Sequence, residues 1–345
     1  MYFIKIGKNI IGQNYNPYVI VEACVNHQGN FEIAKKMVHF AKKAGAQCIK
    51  FQHHIVKEEM LENNIPKSSN FKKSLSEVIE DTNFSLDQHQ VLKKLCDRIG
   101  IDYLCTPFSI KAAKELNSIK VKAFKTGSGE LTNFPFIDYI ARIGKPMIVS
   151  TGMSLPEEIY ETVQIVKKYK TPLALTHCIS AYPCPYEIMN LNFITELSKR
   201  YKIPIGLSDH TPSIYNALGA VSLGASIIEK HFTFNKRLSG PDHKSSIDKK
   251  ELKMLIEGVN ANYLARGSKK KIFKEEKEIV NWARESVVSI KDIRPNEKLN
   301  SSNISTKRPS PKNNQIPANN FFNILGKKVK RKILKDRILN FKDLK

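Results

Sequence analysis

The residues best equipped for chemistry in this 345-residue chain are ionisable side chains that recur at the ends of short apolar runs. His210 and His231 end two such runs, Gly206-Leu207-Ser208-Asp209-His210 and Ile227-Ile228-Glu229-Lys230-His231, and Glu22 lies toward the end of a third. Two imidazoles with a carboxylate and room for water suit a divalent first-row ion, Mn2+ best, with Mg2+ or Co2+ as alternatives. Lys50, Lys125, Ser128, Ser150 and Ser208 form a second group, whose ammonium and hydroxyl donors can cradle a phosphate or a carboxylate through charge-assisted hydrogen bonds. The segment Lys125-Thr126-Gly127-Ser128-Gly129-Glu130 adds glycines that let backbone N–H groups approach an anion, although a plain tight turn would use them too. Gln52, Thr106, Glu130, His177, Asp209, Glu229 and Lys230 complete the polar residues at run ends.

Such groups act together only if the fold gathers the run ends. Strands are expected at 18–25, 48–52, 102–106, 121–126, 146–150, 173–177, 204–208 and 226–231, and amphipathic helices between them at 31–44, 86–99, 156–168 and 214–223. Ser154 is a candidate cap for the third helix, and Gly45 a stop for the first. Each parallel strand needs a crossover helix, so eight strands alternating with helices predict a (β/α)8 TIM barrel in an α/β chain. An open doubly wound sheet would carry a Gly-rich phosphate loop after its first strand, where this chain has Glu22-Ala23-Cys24-Val25-Asn26. In a closed barrel the first and eighth strands are neighbours, which brings Glu22 toward His231, and all the strand ends open on one face. Beyond Gly267 the pattern breaks into short segments rich in Pro and Asn, with one strand near 286–290. The expected domains are a catalytic barrel at 1–265, a linker at 266–282 and a small β-rich domain at 283–345.

Composition narrows the class. The chain is 41% hydrophobic, enough for a packed core, and no run approaches the roughly 18 apolar residues of a membrane span, so a cytoplasmic protein with no membrane partner is expected. Six cysteines without a CxxC pair predict neither a disulfide framework nor a thiolate zinc site, but buried reduced thiols. Of the net charge of +23, residues 261–345 carry +14. The basic run Lys327-Lys328-Val329-Lys330-Arg331-Lys332 is interleaved with aliphatics rather than base-stacking aromatics, which disfavours specific nucleic-acid binding and favours solvated lysines or a field that attracts anionic substrates.

The motifs around these residues resemble the sialic acid synthase family, the bacterial N-acetylneuraminate synthases with their legionaminate and pseudaminate relatives. The segments are Glu22-Ala23-Cys24-Val25-Asn26-His27, Lys50-Phe51-Gln52-His53-His54, Thr106-Pro107-Phe108, Lys125 to Glu130, Ser150-Thr151-Gly152-Met153, His177 to Pro183, Ser208-Asp209-His210-Thr211, Glu229-Lys230-His231 and Gly240-Pro241-Asp242-His243. Lys307-Arg308-Pro309 and Asn323 to Lys328 resemble the antifreeze-like (SAF) tail domain of that family. The resemblance implies that phosphoenolpyruvate condenses with an open-chain N-acetylmannosamine, with loss of phosphate, in a metal-dependent reaction. It assigns Glu22 as base, His210 and His231 as metal-binding catalytic residues, and Lys50, Thr106, Lys125, Ser128, Ser150 and Ser208 to phosphoenolpyruvate. It assigns Gln52, Glu130, Tyr182, Asp242 and Arg308 to the sugar, with Arg308 entering the site of a partner in a domain-swapped homodimer. Departures such as Thr126 and Ile179-Ser180-Ala181 leave the sugar open between N-acetylmannosamine and a 2,4-diacetamido-trideoxy hexose. Competing readings are an aldol-type synthase acting on phosphorylated sugars and a non-catalytic glycan- or nucleic-acid-binding protein.

Overall fold

The computed structural model describes residues 3–61 and 74–345. They form two compact units, Met1–Gly267 and Ser268–Lys345. The first opens with an antiparallel hairpin, β1 (Phe3–Ile6) and β2 (Asn9–Gly12). Eight parallel strands follow, each with at least one helix after it: β3 (Tyr18–Glu22), β4 (Cys48–His53), β5 (Asp102–Pro107), β6 (Phe124–Thr126), β7 (Met147–Ser150), β8 (Leu173–Cys178), β9 (Ile205–Asp209) and β10 (Ile227–His231). Their ladder runs β5-β4-β3-β10-β9-β8-β7-β6, and β5 lies against β6, so the sheet is a TIM-like barrel.

The eight strands stand where the sequence predicts them, with two differences. The first ends at Glu22 rather than Val25, because residues 24–27 turn and Cys24 has a left-handed φ of 41°. The fourth is only Phe124–Thr126. Helices Phe31–Ala44, Leu86–Ile99, Pro156–Lys168 and Tyr215–Ser222 occupy the expected places. Ser154 does not cap the third of these; its hydroxyl donates to Gly152 O at 3.0 Å, and Glu158 instead accepts from the Leu155 N–H. All six cysteines are buried and free of disulfides.

Alternation along each strand divides the barrel into two cores. Residues such as Val21, Phe51, Tyr103, Val149, Leu207 and Ile228 face the helices. Their neighbours Tyr18, Ile20, Cys48, Leu104, Ala123, Ile148, Ala174 and Ile227 fill the lower interior, together with Ile4, Ile6 and Ile11 of the hairpin. The hairpin, which the sequence pattern did not reveal, therefore closes the bottom of the barrel with aliphatic side chains.

The second unit pairs β11 (Ser286–Ser289) with β12 (Ile304–Lys307) and packs a core of ten aliphatics that includes Val287, Ile304, Val329 and Leu339. The stretch expected as a linker, 266–282, carries a 3-10 turn at Lys274–Glu276 and most of a helix, Lys277–Ala283. Among the described residues no helix is long and apolar enough to cross a membrane.

His89 is fully buried, accepts from the Tyr103 hydroxyl at 2.8 Å, and is held down to about 3 by burial and by the nearby imidazoles of His53, His27 and His54. Its unfolded-state value is near 6.5. The unfolded chain thus binds the extra proton first, and stability falls as pH drops from about 6.5 toward 3. Between pH 7 and pH 5 this imidazole alone removes about 2 kcal/mol. In His89→Gln the difference in stability between those pH values is expected to shrink by that amount, measured by urea denaturation of the barrel; an unchanged difference would show that His89 is protonated in the fold.

Candidate active site

The upper half of the barrel interior is polar because the same inward-facing rows that are apolar below continue into charged residues above. Tyr18 and Ile20 lead to Glu22, Cys48 to Lys50, Ala123 to Lys125, Ile148 to Ser150, and Ile227 to Glu229 and His231. Register joins them across strands: His231 stands opposite Glu22, and Glu22 opposite Lys50.

A cleft of about 100 Å³ opens among these strand ends. Of the residues expected from sequence, Glu22, Lys50, Gln52, Thr106, Lys125, Ser128, Ser150, Tyr182, Ser208, His210, His231 and Asp242 all line it. Glu130 does not; it lines an adjoining cavity of about 450 Å³, which shares Cys24, Gln52 and Asp242 with the cleft. Arg308 belongs to the second unit, where it is exposed and stacks over Trp282 at 5.4 Å. His177 turns away from the cleft and donates through Nε2 to Met189 O at 2.7 Å. Asp209 and Lys230 also point outward, as a buried ion pair of 2.9 Å beneath Thr211. Strand parity explains these three: each is one residue out of step with the inward row.

Four buried charges form the centre. Lys50 Nζ lies 2.5 Å from Glu22 Oε2 and 3.5 Å from Glu229 Oε1, and donates to Thr106 Oγ1 at 3.1 Å. Lys125 Nζ donates to Ser150 Oγ at 2.5 Å and lies 3.8 Å from Glu229 Oε2. Ser208 donates to Glu229 Oε1 at 2.9 Å. Burial pushes the Glu229 carboxyl up, but Lys125 and Lys50 outweigh it and hold the group below its ordinary value. Glu22 is raised, since burial and Glu229 together exceed the pull of Lys50. Burial likewise lowers Lys125, against the attraction of Glu229. Glu229 is the main residue that the sequence assignment left without a role, although its position two residues before His231 on one strand places both on the same face.

Ser128 Oγ accepts from the Gly152 N–H at 3.1 Å. A Cβ on Gly152 would run into the Ser128 and Ser180 hydroxyls, so a larger residue there would force both side chains to turn away. Glu130, half-buried beside Glu59, is raised by burial to about 7.

The imidazoles stand at one side of the cleft, ring centroids 5.3 Å apart, with the Tyr182 ring 4.1 Å from His210 and edge-on to His231. His210 Nδ1 lies 2.8 Å from Ile179 O; a carbonyl can only accept, so Nδ1 carries a proton, and Nε2 is the nitrogen left for a metal. His231 Nδ1 is buried without a hydrogen-bond partner, 3.8 Å from Asp242 Oδ2, and burial lowers this imidazole well below its usual value. His210 is instead raised, since its burial is outweighed by Cys178, the Ile179 carbonyl and Glu229. Imidazoles that give up their protons to a metal beside a carboxylate would fit a divalent cation. Asp242 approaches His231 from a loop, and Glu22, opposite His231 in the ladder, is engaged by Lys50.

The NeuB family profile matches residues 37–271, and the SAF domain profile residues 284–345. The chain is 38% identical to an uncharacterized protein of Methanocaldococcus jannaschii, over 99% of this chain and 98% of that one. It is 35% identical to the N,N'-diacetyllegionaminic acid synthase of Campylobacter jejuni, over 93% and 98%. Among solved structures, the N-acetylneuraminic acid synthetase of Leptospira borgpetersenii in complex with citrate aligns at a TM-score of 0.73 and 32% identity, over 81% of this chain and 95% of that one.

Glu229→Gln removes the carboxylate that separates Lys50 from Lys125 while preserving its shape. Breaking a buried charge cluster in this way is expected to cost about 3 kcal/mol, measured by chemical denaturation at pH 7. A loss below about 1 kcal/mol would mean that one of the two lysines is neutral in the fold.

Proposed function

On the premise that the chain belongs to the NeuB family, we propose that it makes a nonulosonic acid from phosphoenolpyruvate and the open-chain form of an unphosphorylated N-acetylated hexose. The observation that carries this reading is the pairing of a lysine-and-hydroxyl cradle with two adjacent histidines in one cleft. Lys50, Lys125, Ser150 and Ser208, with Ser128 and Thr106 at the margin, bind the phosphate and carboxylate of phosphoenolpyruvate through charge-assisted hydrogen bonds. Phosphoenolpyruvate brings negative charge of its own, so it competes with Glu22 and Glu229 for the two ammonium groups.

C3 of phosphoenolpyruvate forms a bond to the sugar aldehyde carbon, whose oxygen ends as a hydroxyl. Water adds at C2, and Glu22, raised toward neutrality and free to change its protonation state, takes the water's proton. The C2–O bond to phosphate then breaks and leaves a ketone. His210, His231 and Asp242 would hold the divalent ion, which supplies Lewis-acid polarisation of the aldehyde. Tyr182 covers the rings from above, and Gln52 reaches from the cleft into the adjoining cavity.

That cavity bears on the acceptor. Its described lining contains Val25, Met60, Leu75, Val78, Ile79 and Phe108, with Glu59, Glu130 and Asp242 as its acidic groups and no Lys or Arg. Acidic groups with no cation among them disfavour a sugar phosphate, and the apolar wall accommodates acetamido methyl groups and a deoxy carbon better than a chain of hydroxyls. Of the two sugars expected from sequence, the 2,4-diacetamido-trideoxy hexose fits this lining better than N-acetylmannosamine. Arg308 reaching a partner's site in a domain-swapped dimer remains part of the reading through the SAF resemblance.

The test is phosphate release by chelator-treated protein given phosphoenolpyruvate, a divalent metal and each acceptor. Release is expected with the diacetamido sugar, more slowly with N-acetylmannosamine, and negligibly with its 6-phosphate. Lys125→Met should lower kcat/KM by at least about 100-fold, and Arg308→Ala should raise the acceptor KM while leaving that of phosphoenolpyruvate unchanged. Folded, metal-loaded protein that releases no phosphate with any acceptor would overturn the proposal.

A further inference from the structure

The cysteine pattern, with no CxxC, gave no reason to expect a thiolate at a metal. The structure nevertheless brings Cys24 Sγ, a ring nitrogen of His231 and a carboxylate oxygen of Asp242 to within 4.8 Å of one another. All three residues are buried. They come from separate segments, each fixed by its own contacts. The turn that bears Cys24 is tied down by the Cys24 N–H donating to Glu22 Oε1 at 2.8 Å and by Asn26 Nδ2 donating to Phe232 O and Ser246 Oγ. His231 is held in the β10 ladder opposite Glu22. The Asp242 carbonyl accepts from the Ser246 hydroxyl at 2.6 Å and the Ser245 N–H at 3.1 Å.

Cys24 and Asp242 are hydrogen-bonded to each other, yet His231 Nδ1 beside them is buried without a hydrogen-bond partner, so these sequence-distant groups have an unfilled place among them that a metal would take. A buried polar atom left unpaired is costly, and coordination would remove that cost. Sulfur, imidazole and carboxylate together are also a softer donor set than two imidazoles and a carboxylate.

We propose that Cys24 is a metal ligand, which with His231 and Asp242 binds a divalent ion and tilts the site's preference toward Co2+ or Zn2+ over Mn2+ or Mg2+. The inference rests on the reading that this side of the cleft holds a metal, and deepens it. Binding converts the thiol to a thiolate: the S–H bond breaks, a metal–sulfur bond forms, and one proton leaves to solvent without change of oxidation state. His210, whose ring centroid is 5.3 Å from that of His231, remains beside the ion as a fourth donor or as a contact to substrate.

Chelator-treated full-length protein is titrated with Co2+ and followed by absorbance, and with Zn2+ by calorimetry in buffers of different ionisation enthalpy. Wild type is expected to show a near-ultraviolet sulfur-to-cobalt charge-transfer band saturating at one equivalent, and to release a proton on binding Zn2+. In Cys24→Ser the band should vanish and Zn2+ affinity fall by at least about tenfold, with circular dichroism confirming that the barrel is intact. Cys178→Ser removes the other cysteine that lines the cleft and should keep the band. Cobalt binding without the band, a band that survives Cys24→Ser, or one that is lost in Cys178→Ser instead overturns ligation by Cys24 and leaves the metal reading standing. Folded wild type that binds neither ion overturns both.

Discussion

The parallel pairing of β10 with β3 is the constraint on which the site depends. It closes the chain's last barrel strand onto its first and sets His231 against Glu22, two residues more than 200 positions apart. The β3–β4 ladder then sets Glu22 against Lys50. A slip of one residue along either ladder would exchange inward and outward faces and send the charges into the apolar layer beneath the helices. The aliphatic core below and the helix-facing core outside hold that register, so the precision of the polar cluster comes from residues that take no part in it.

Buried charges are costly, and here they are tolerated because they are shared. Glu229 touches both lysines and a serine hydroxyl, and Lys50 touches both carboxylates and a threonine. None of the four can be removed without leaving another uncompensated. The same arrangement lets an incoming anion take over lysine hydrogen bonds without having to strip the ammonium groups of bulk water, since the fold has already done so.

Much of this was legible in the sequence, for a physical reason. Barrel strands are short apolar runs, and the polar residues that end them are conspicuous. The facing of individual side chains was harder to read, since it depends on a one-residue parity: His177, Asp209 and Lys230 sit at strand ends yet turn outward, while Glu229 turns in. Long loops were harder again. Asp242 reaches His231 through a loop held by Ser245 and Ser246, a path that no periodicity announces. Cys24 was discounted because cysteine spacing along the chain says nothing about neighbours across the barrel. The second unit has only two four-residue strands, so its pattern was weak. Its basic run does have a clear logic in three dimensions: Val329 and Ile333 enter the core, and the lysines and arginine around them stay exposed.

The hairpin at the bottom of the barrel settles the direction of traffic. Ile4, Ile6 and Ile11 seal the floor with hydrocarbon, so the lysines can be reached only from the loop side. The cleft that holds them is formed by strand ends, and the larger cavity by loop residues above. The floor is closed and the wall between cleft and cavity is shared, so an occupant of either presses on Cys24, Gln52 and Asp242, the same three side chains that border the other.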